Sequence, residues 1–198
     1  MVGPLLTFFA SRQKCLTMSN FRKIGVFCSA SSNVKDVYMT AAKEVGEYIG
    51  SNGCELVYGG SAMGMMEVVA KAVKENGGKV TGVVPQILID KGVASKHIDH
   101  LIVCKDLTDR KSIMLENSDI MIALPGGVGT LDEVFTVMAG VTLGYHKKRI
   151  IFYNIDGFWT PLTDYLNTLY KEHFIRSQPN QLFDVANNID ELKAILNR

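Results

Sequence analysis

From Arg22 onward, apolar positions along this chain follow two alternating periods. Short runs rich in β-branched residues fall at 24–28, 55–58, 79–85, 101–104, 120–124 and 149–153, and each has the length of a buried strand. Between them apolar residues recur at helical spacing. Val37, Ala41, Val45 and Ile49 make one stripe over 34–50, which Ser51-Asn52-Gly53 ends. Val68, Val69, Ala72 and Val73 make a second, closed by Asn76-Gly77-Gly78. Helices are also predicted over 108–117, 131–143 and 159–172, and a short amphipathic one over 189–197 carries Leu192, Ile195 and Leu196 on one side. The connection 86–96 shows neither period.

Strands alternating with helices predict an α/β fold: a doubly wound, mainly parallel sheet with helices on both faces. Such sheets bind ligands beyond the carboxyl ends of their strands, where the strand order reverses. Three loops of small residues leave strands at that edge, at 29–33, 59–64 and 125–130. Together they suit a ligand the size of a nucleotide. No internal repeat or linker divides the chain, so residues 21–198 read as a single domain. Residues 1–20 read as a flexible N-terminal extension. Their apolar stretch precedes Arg12 and Lys14, whereas a secretory signal carries its positive charge first.

Charge narrows the function. The formal net charge is +1, from 21 basic and 20 acidic residues, with no basic block, which argues against a nucleic-acid face. No apolar run approaches the ~20 residues of a membrane span. The four cysteines form no C-x-x-C pair and none has zinc-like spacing to a histidine, so no metal is expected. Cys28 and Cys104 lie in apolar strands and read as reduced core residues, which points to the cytoplasm.

The chemistry concentrates at Leu124-Pro125-Gly126-Gly127-Val128-Gly129-Thr130-Leu131-Asp132-Glu133. A glycine-rich turn between a strand and a helix presents free backbone N–H groups, an anion site most often used for phosphate. It is not a triphosphate loop, since no lysine follows the glycines. A carboxylate beside a phosphate cradle repels the ligand, which makes sense if Glu133 acts on the attached sugar. A capping box, with Thr130 at the N-cap and Glu133 three residues on, explains the same residues structurally. Glu67 has two readings as well: a first-turn acid facing the helix dipole, or a second carboxylate at the ligand edge. Arg110 and Lys111 sit early in a helix, where cations are disfavoured. A solvated face is the plainer reading, a nearby anion the functional one.

The segment from Pro125 to Glu133 matches the P-G-G-x-G-T-x-x-E motif of the LOG family, the cytokinin-activating phosphoribohydrolases. Arg110-Lys111-x-x-Met114 resembles that family's R-K-x-x-M segment, and Phe27-Cys28-Ser29-Ala30-Ser31 resembles its first strand and loop. The resemblance spans about 21–175. It implies a Rossmann-like domain, a homodimer or larger assembly, and hydrolysis of the N-glycosidic bond of a nucleoside 5′-monophosphate without a cofactor. It further implies that Arg110 and Glu133 are essential and that Gly126, Gly127, Val128, Gly129 and Thr130 hold the phosphate. Ser29, Ser31, Gly60, Met63, Glu67 and Lys111 are the remaining expected substrate contacts. Residues 59–67 depart from the plant-type G-G-G-S-V-G-L-M-G, ending in Met66-Glu67 as in the wider family. An older label for these proteins, lysine decarboxylase, fits poorly: pyridoxal chemistry needs a Schiff-base lysine, which the phosphate-turn motif lacks. A non-catalytic nucleotide carrier or sensor is the alternative reading.

Overall fold

The computed structural model describes residues 21–198, so the expectation for the first 20 residues lies outside the described part of the chain. Seven strands form one sheet: β1 (Lys23–Phe27), β2 (Glu55–Tyr58), β3 (Lys79–Pro85), β4 (His100–Cys104), β5 (Ile120–Ala123), β6 (Ile150–Tyr153) and β7 (Phe183–Ala186). Their order is β4-β3-β2-β1-β5-β6-β7, and every neighbouring pair is parallel. The chain winds outward from β1 to β4, returns to β5 on the other side of β1, and winds outward again. This is the doubly wound, Rossmann-like arrangement expected from the alternation.

The helices are α1 (Asp36–Ser51), α2 (Gly64–Glu75), α3 (Gln86–Asp90), α4 (Leu107–Glu116), α5 (Val128–Thr142), α6 (Thr160–Lys171), α7 (Pro179–Leu182) and α8 (Ile189–Leu196). Strand period decides which face each residue serves. Ile24, Val26, Leu56, Tyr58, Ile120 and Ile122 pack with α1, α2 and α8. Phe27, Val57, Met121, Ala123, Ile150 and Phe152 pack with α4, α5 and α6. The central strands are therefore buried on both sides, which is why they read as nearly continuous apolar runs. Each fully buried Ile, Leu or Phe contributes about 2–3 kcal/mol, and truncating Phe152 to alanine would cost about 3–5 kcal/mol.

Three of these elements were not visible in the periodicity: β7, α3 and the four-residue α7. The strand β7 is a four-residue edge strand, Phe-Asp-Val-Ala, with Asp184 tied to Arg149 at 2.9 Å. A charged residue in so short a run hides the pattern. The connection 86–96 contains α3 and then a stretch that clamps the turn after β2: Ala62 N donates to Val93 O at 2.8 Å and Ser95 N to Gly60 O at 2.9 Å. Among the described residues no helix is long and apolar enough to cross a membrane.

Candidate active site

The reversal point of the sheet lies between β1 and β5, and the turn after β2 borders it. The three small-residue loops meet there. Ser29 N donates to Pro125 O at 3.2 Å, joining the loop after β1 to the turn after β5, and Met65 N donates to Ser29 O at 3.1 Å, joining it to α2. Ser31 N donates to Ser29 Oγ at 3.0 Å and Asn33 N to Ser31 Oγ at 3.2 Å. Each hydroxyl accepts within the loop and keeps its own O–H for another acceptor.

The helix α5 starts at Val128, earlier than the periodicity indicates, with Gly127 as N-cap and no side-chain capping bond. This overturns the capping box. Thr130 is the third helical residue, not the N-cap, and it is buried under Gly126. Early N–H groups of α5 are thus left without a side-chain acceptor, at the positive end of a 15-residue helix.

Arg110 is buried, not solvated. The helix α4 is fixed at its start by Asp106, whose Oδ1 accepts from Thr108 N and Asp109 N, both at 2.9 Å. One turn in, the Arg110 side chain crosses the carboxyl ends of two strands. Its Nε donates to Val83 O at 3.1 Å and its Nη2 to Gly59 O at 2.8 Å. Gly59 makes room for it, because a Cβ there would land on Nη2. Those bonds use two of the guanidinium's five N–H donors.

Glu133, on α5, is also buried. Burial lifts its carboxyl from 4.5 to about 7; the Arg110 charge opposes that rise, Asp132 adds to it, and Lys111 opposes it. The thiol of Cys28 is pushed up by its own burial and further by Glu133, against the effect of Arg110, so these three groups lie within electrostatic range of one another. Among the described residues, neither Arg110 nor Glu133 makes an ion pair, and no hydrogen bond reaches the Glu133 carboxylate. Two opposite charges are buried within electrostatic range yet not in contact. Such an arrangement costs stability and is characteristic of a site that receives a ligand.

The other expected contacts divide. Gly60 and Met63 lie in the turn after β2, with Met63 half exposed at the N-cap of α2. Glu67 turns to His97, whose Nδ1 lies 2.9 Å from Oε1, a partner the sequence did not reveal. Lys111 is held by Asp132, with its Nζ at 2.7 and 2.8 Å from the two carboxylate oxygens. Asp132, which holds Lys111, was not among the residues expected at the site. The signal available was the pair of charged doublets Arg110-Lys111 and Asp132-Glu133. Among the described residues there is no cluster of His, Cys, Asp or Glu able to hold a metal ion.

The sequence model of the family described as "Possible lysine decarboxylase" matches residues 66–196. The cytokinin riboside 5′-monophosphate phosphoribohydrolase LOG5 of Arabidopsis thaliana is 36% identical over 177 residues, covering 89% of this chain and 78% of that protein. The probable enzyme of the same name LOGL9 from Oryza sativa subsp. japonica is 38% identical over 165 residues, covering 83% and 73%. Among solved structures, the molybdenum cofactor binding protein of Rippkaea orientalis superposes with a TM-score of 0.69 at 22% identity, over 88% of this chain and 94% of that one. The molybdenum cofactor carrier protein of Chlamydomonas reinhardtii gives 0.68 at 25% identity, with the same coverage. These two likenesses concern the fold.

Proposed function

The chain belongs to the LOG family of phosphoribohydrolases, which carries the older description "Possible lysine decarboxylase", and from that membership we propose how its site works. It is a hydrolase of nucleoside 5′-monophosphates of the cytokinin riboside or AMP type, releasing free base and ribose 5-phosphate. The 5′-phosphate lies against the uncapped start of α5, at Gly126, Gly127, Val128, Gly129 and Thr130. Ser29, Ser31, Gly60 and Met63 line the crevice on its other side.

In the reaction the bond between C1′ and the base nitrogen breaks, and its electron pair leaves with the base. Positive charge develops on the ribose. The Glu133 carboxylate faces that charge and stabilises it. Water then bonds to C1′. One of its protons stays on the new hydroxyl, and Glu133 takes the other and returns it to solvent while the base nitrogen is protonated. A carboxyl that ionises at about 7 suits both roles near neutrality. Arg110, fixed by the Gly59 and Val83 carbonyls, supplies the positive charge of the crevice.

The observation that carries this reading is the buried, mutually unpaired Arg110 and Glu133 at the reversal point of the sheet. A carrier needs the phosphate turn but has no use for a buried carboxylate turned on the sugar. Purified protein is therefore incubated with AMP and isopentenyladenosine monophosphate, and free base is measured. Base release is expected. Tight binding with no release would favour the carrier.

The reading includes a cytoplasmic homodimer. A groove of about 590 Å³ between α5 and α6 is lined by Phe135, Met138, Leu143, Leu166, Leu169 and Phe174. Phe135, Leu143 and Phe174 are exposed on it. Exposed apolar surface of this kind marks an association face, and a second copy of the chain is its proposed occupant. Light scattering on the eluting protein should give twice the chain mass. Cys28 and Cys104 are unpaired and buried, as suits a reducing compartment.

A further inference from the structure

We infer that the Lys111–Asp132 ion pair is a positioning device for the two reacting charges, not a substrate contact. The inference rests on the hydrolase reading above. Lys111 follows Arg110 on α4, and Asp132 precedes Glu133 on α5. The Lys111 ammonium meets both oxygens of one carboxylate, at 2.7 and 2.8 Å, and the Lys111 side chain is only 16% exposed. An ammonium so engaged is a poor phosphate ligand, because any phosphate reaching it also meets the Asp132 charge.

The pair is instead placed to join the two helices beside their functional residues. Arg110 is held by strand carbonyls, but Glu133 has no bond of its own, so its position depends on the rotation of α5. Clamping Asp132 to α4 fixes that rotation. The pair also balances charge. The groups facing Glu133 are Arg110 and Lys111 from α4, Asp132 from its own helix, and the Cys28 thiol after β1. Lys111 favours the ionised carboxylate and Asp132 disfavours it, so the two partners act on Glu133 in opposite directions.

The test uses Lys111→Met, Asp132→Asn, the double variant, and the conservative Lys111→Arg. Two readouts are taken: the pH profiles of kcat and KM on AMP, and a carbon-13 NMR titration of the Glu133 carboxyl, assigned with Glu133→Gln. Each single variant should lower kcat about tenfold, since small misplacements of a reacting group are costly, while KM stays within about twofold. Lys111→Met should move the acid limb and the Glu133 titration to higher pH, and Asp132→Asn should move both lower. The midpoint of the double variant should fall between those of the two single variants, while kcat is not restored. Lys111→Arg should retain most of the rate. A rise of about tenfold in KM for Lys111→Met alone, with the Glu133 titration unmoved, would make Lys111 a substrate ligand and overturn the inference. So would midpoint shifts in the same direction for both single variants. If Lys111→Met does not fold, Asp132→Asn, altering the more exposed partner, still decides the sign. Wild-type protein that releases no base would defeat the hydrolase reading, while the NMR titration would still test the pair.

Discussion

In the turn after β2, Gly59, Gly60 and Gly64 each answer to a neighbour inside the protein. Gly59 leaves space for the Arg110 guanidinium. Gly60 and Gly64 have φ of +75° and +55°, and Gly64 also lies against the backbone of Ala30 and Ser31. In the turn after β5, only Gly126 is pressed, by the Thr130 side chain. Gly127 and Gly129 have no left-handed backbone, and a Cβ on either would meet nothing within 4 Å. Neither conformation nor packing explains them. The close neighbour that would require glycine there is absent from the chain itself, as expected where a ligand approaches the backbone. One turn is shaped by its neighbours in the fold, and the other, on the function proposed above, is kept open for the phosphate.

The contrast is tested most strongly through the two charges that face the crevice. Glu133→Gln removes the carboxylate and should lower kcat by on the order of 10²–10³ with little change in KM, read from base release at saturating AMP. Gly59→Ala makes no change to any charge, yet its new Cβ displaces the Arg110 guanidinium. It should resemble Arg110→Ala, with a loss in kcat/KM of roughly 10²-fold. Unchanged activity in Gly59→Ala would show that the turn after β2 does not position Arg110 for catalysis.

The same glutamate gives a stability prediction of defined sign. Its native carboxyl ionises at about 7, above the ordinary 4.5, so between these values the folded protein holds a proton that the unfolded chain has lost. Stability from this group is therefore fullest below about pH 4.5 and falls as pH rises through 7. Above that, the ionised, buried Glu133 costs up to about 3 kcal/mol. Glu133→Gln should raise the Tm relative to wild type at pH 8 and bring little gain at pH 4.5, measured by thermal melts at the two pH values. Equal Tm differences at both would mean the carboxylate is not held in a desolvated setting.

The fold was largely legible because central strands buried on both faces announce themselves as apolar runs, and α1 and α2 carry clear stripes. The strand β7 was not, since an edge strand needs few apolar residues and Asp184 interrupts it. In the candidate site, the glycine-rich turn between β5 and α5 was readable from composition. Arg110 was not readable as a buried residue: a cation early in a helix looks solvated, and its burial depends on carbonyls of Gly59 and Val83, 51 and 27 residues away. The expectation that Arg110 is a site residue came from the motif resemblance, and its buried setting from the tertiary structure. The capping-box reading of Thr130 and Glu133 failed for a local reason. The helix begins at Val128, so the threonine that fits the pattern is already inside it.

A smaller effect is expected at the open turn itself. Gly127→Ala and Gly129→Ala add a methyl group where the protein has none in contact. Each should raise the KM for AMP about tenfold by crowding the phosphate, while circular dichroism and Tm stay near wild type. Alanine at 129 should even favour the helix slightly, by up to about 1 kcal/mol, since it replaces glycine within α5. A fall in Tm with unchanged KM would reverse the assignment and make this turn structural.

The smallest effect belongs to a glycine outside both turns. Gly53 ends α1 on the far side of the strand from the crevice, with φ of +66° and nothing within 4 Å of a Cβ. It shares the open space of Gly127 but has the strained backbone that Gly127 lacks. Gly53→Ala should therefore cost about 1 kcal/mol through left-handed strain alone, seen as a modest drop in the denaturation midpoint, with kcat and KM unchanged. The three positions then separate the reasons for glycine. Gly53 reports backbone conformation, Gly59 reports an internal neighbour, and Gly127, on the proposed function, reports a neighbour that arrives with the substrate. If Gly53→Ala altered KM as Gly127→Ala does, open space would no longer mark the ligand, and the distinction between the two turns would have to rest on Arg110 and Glu133 alone.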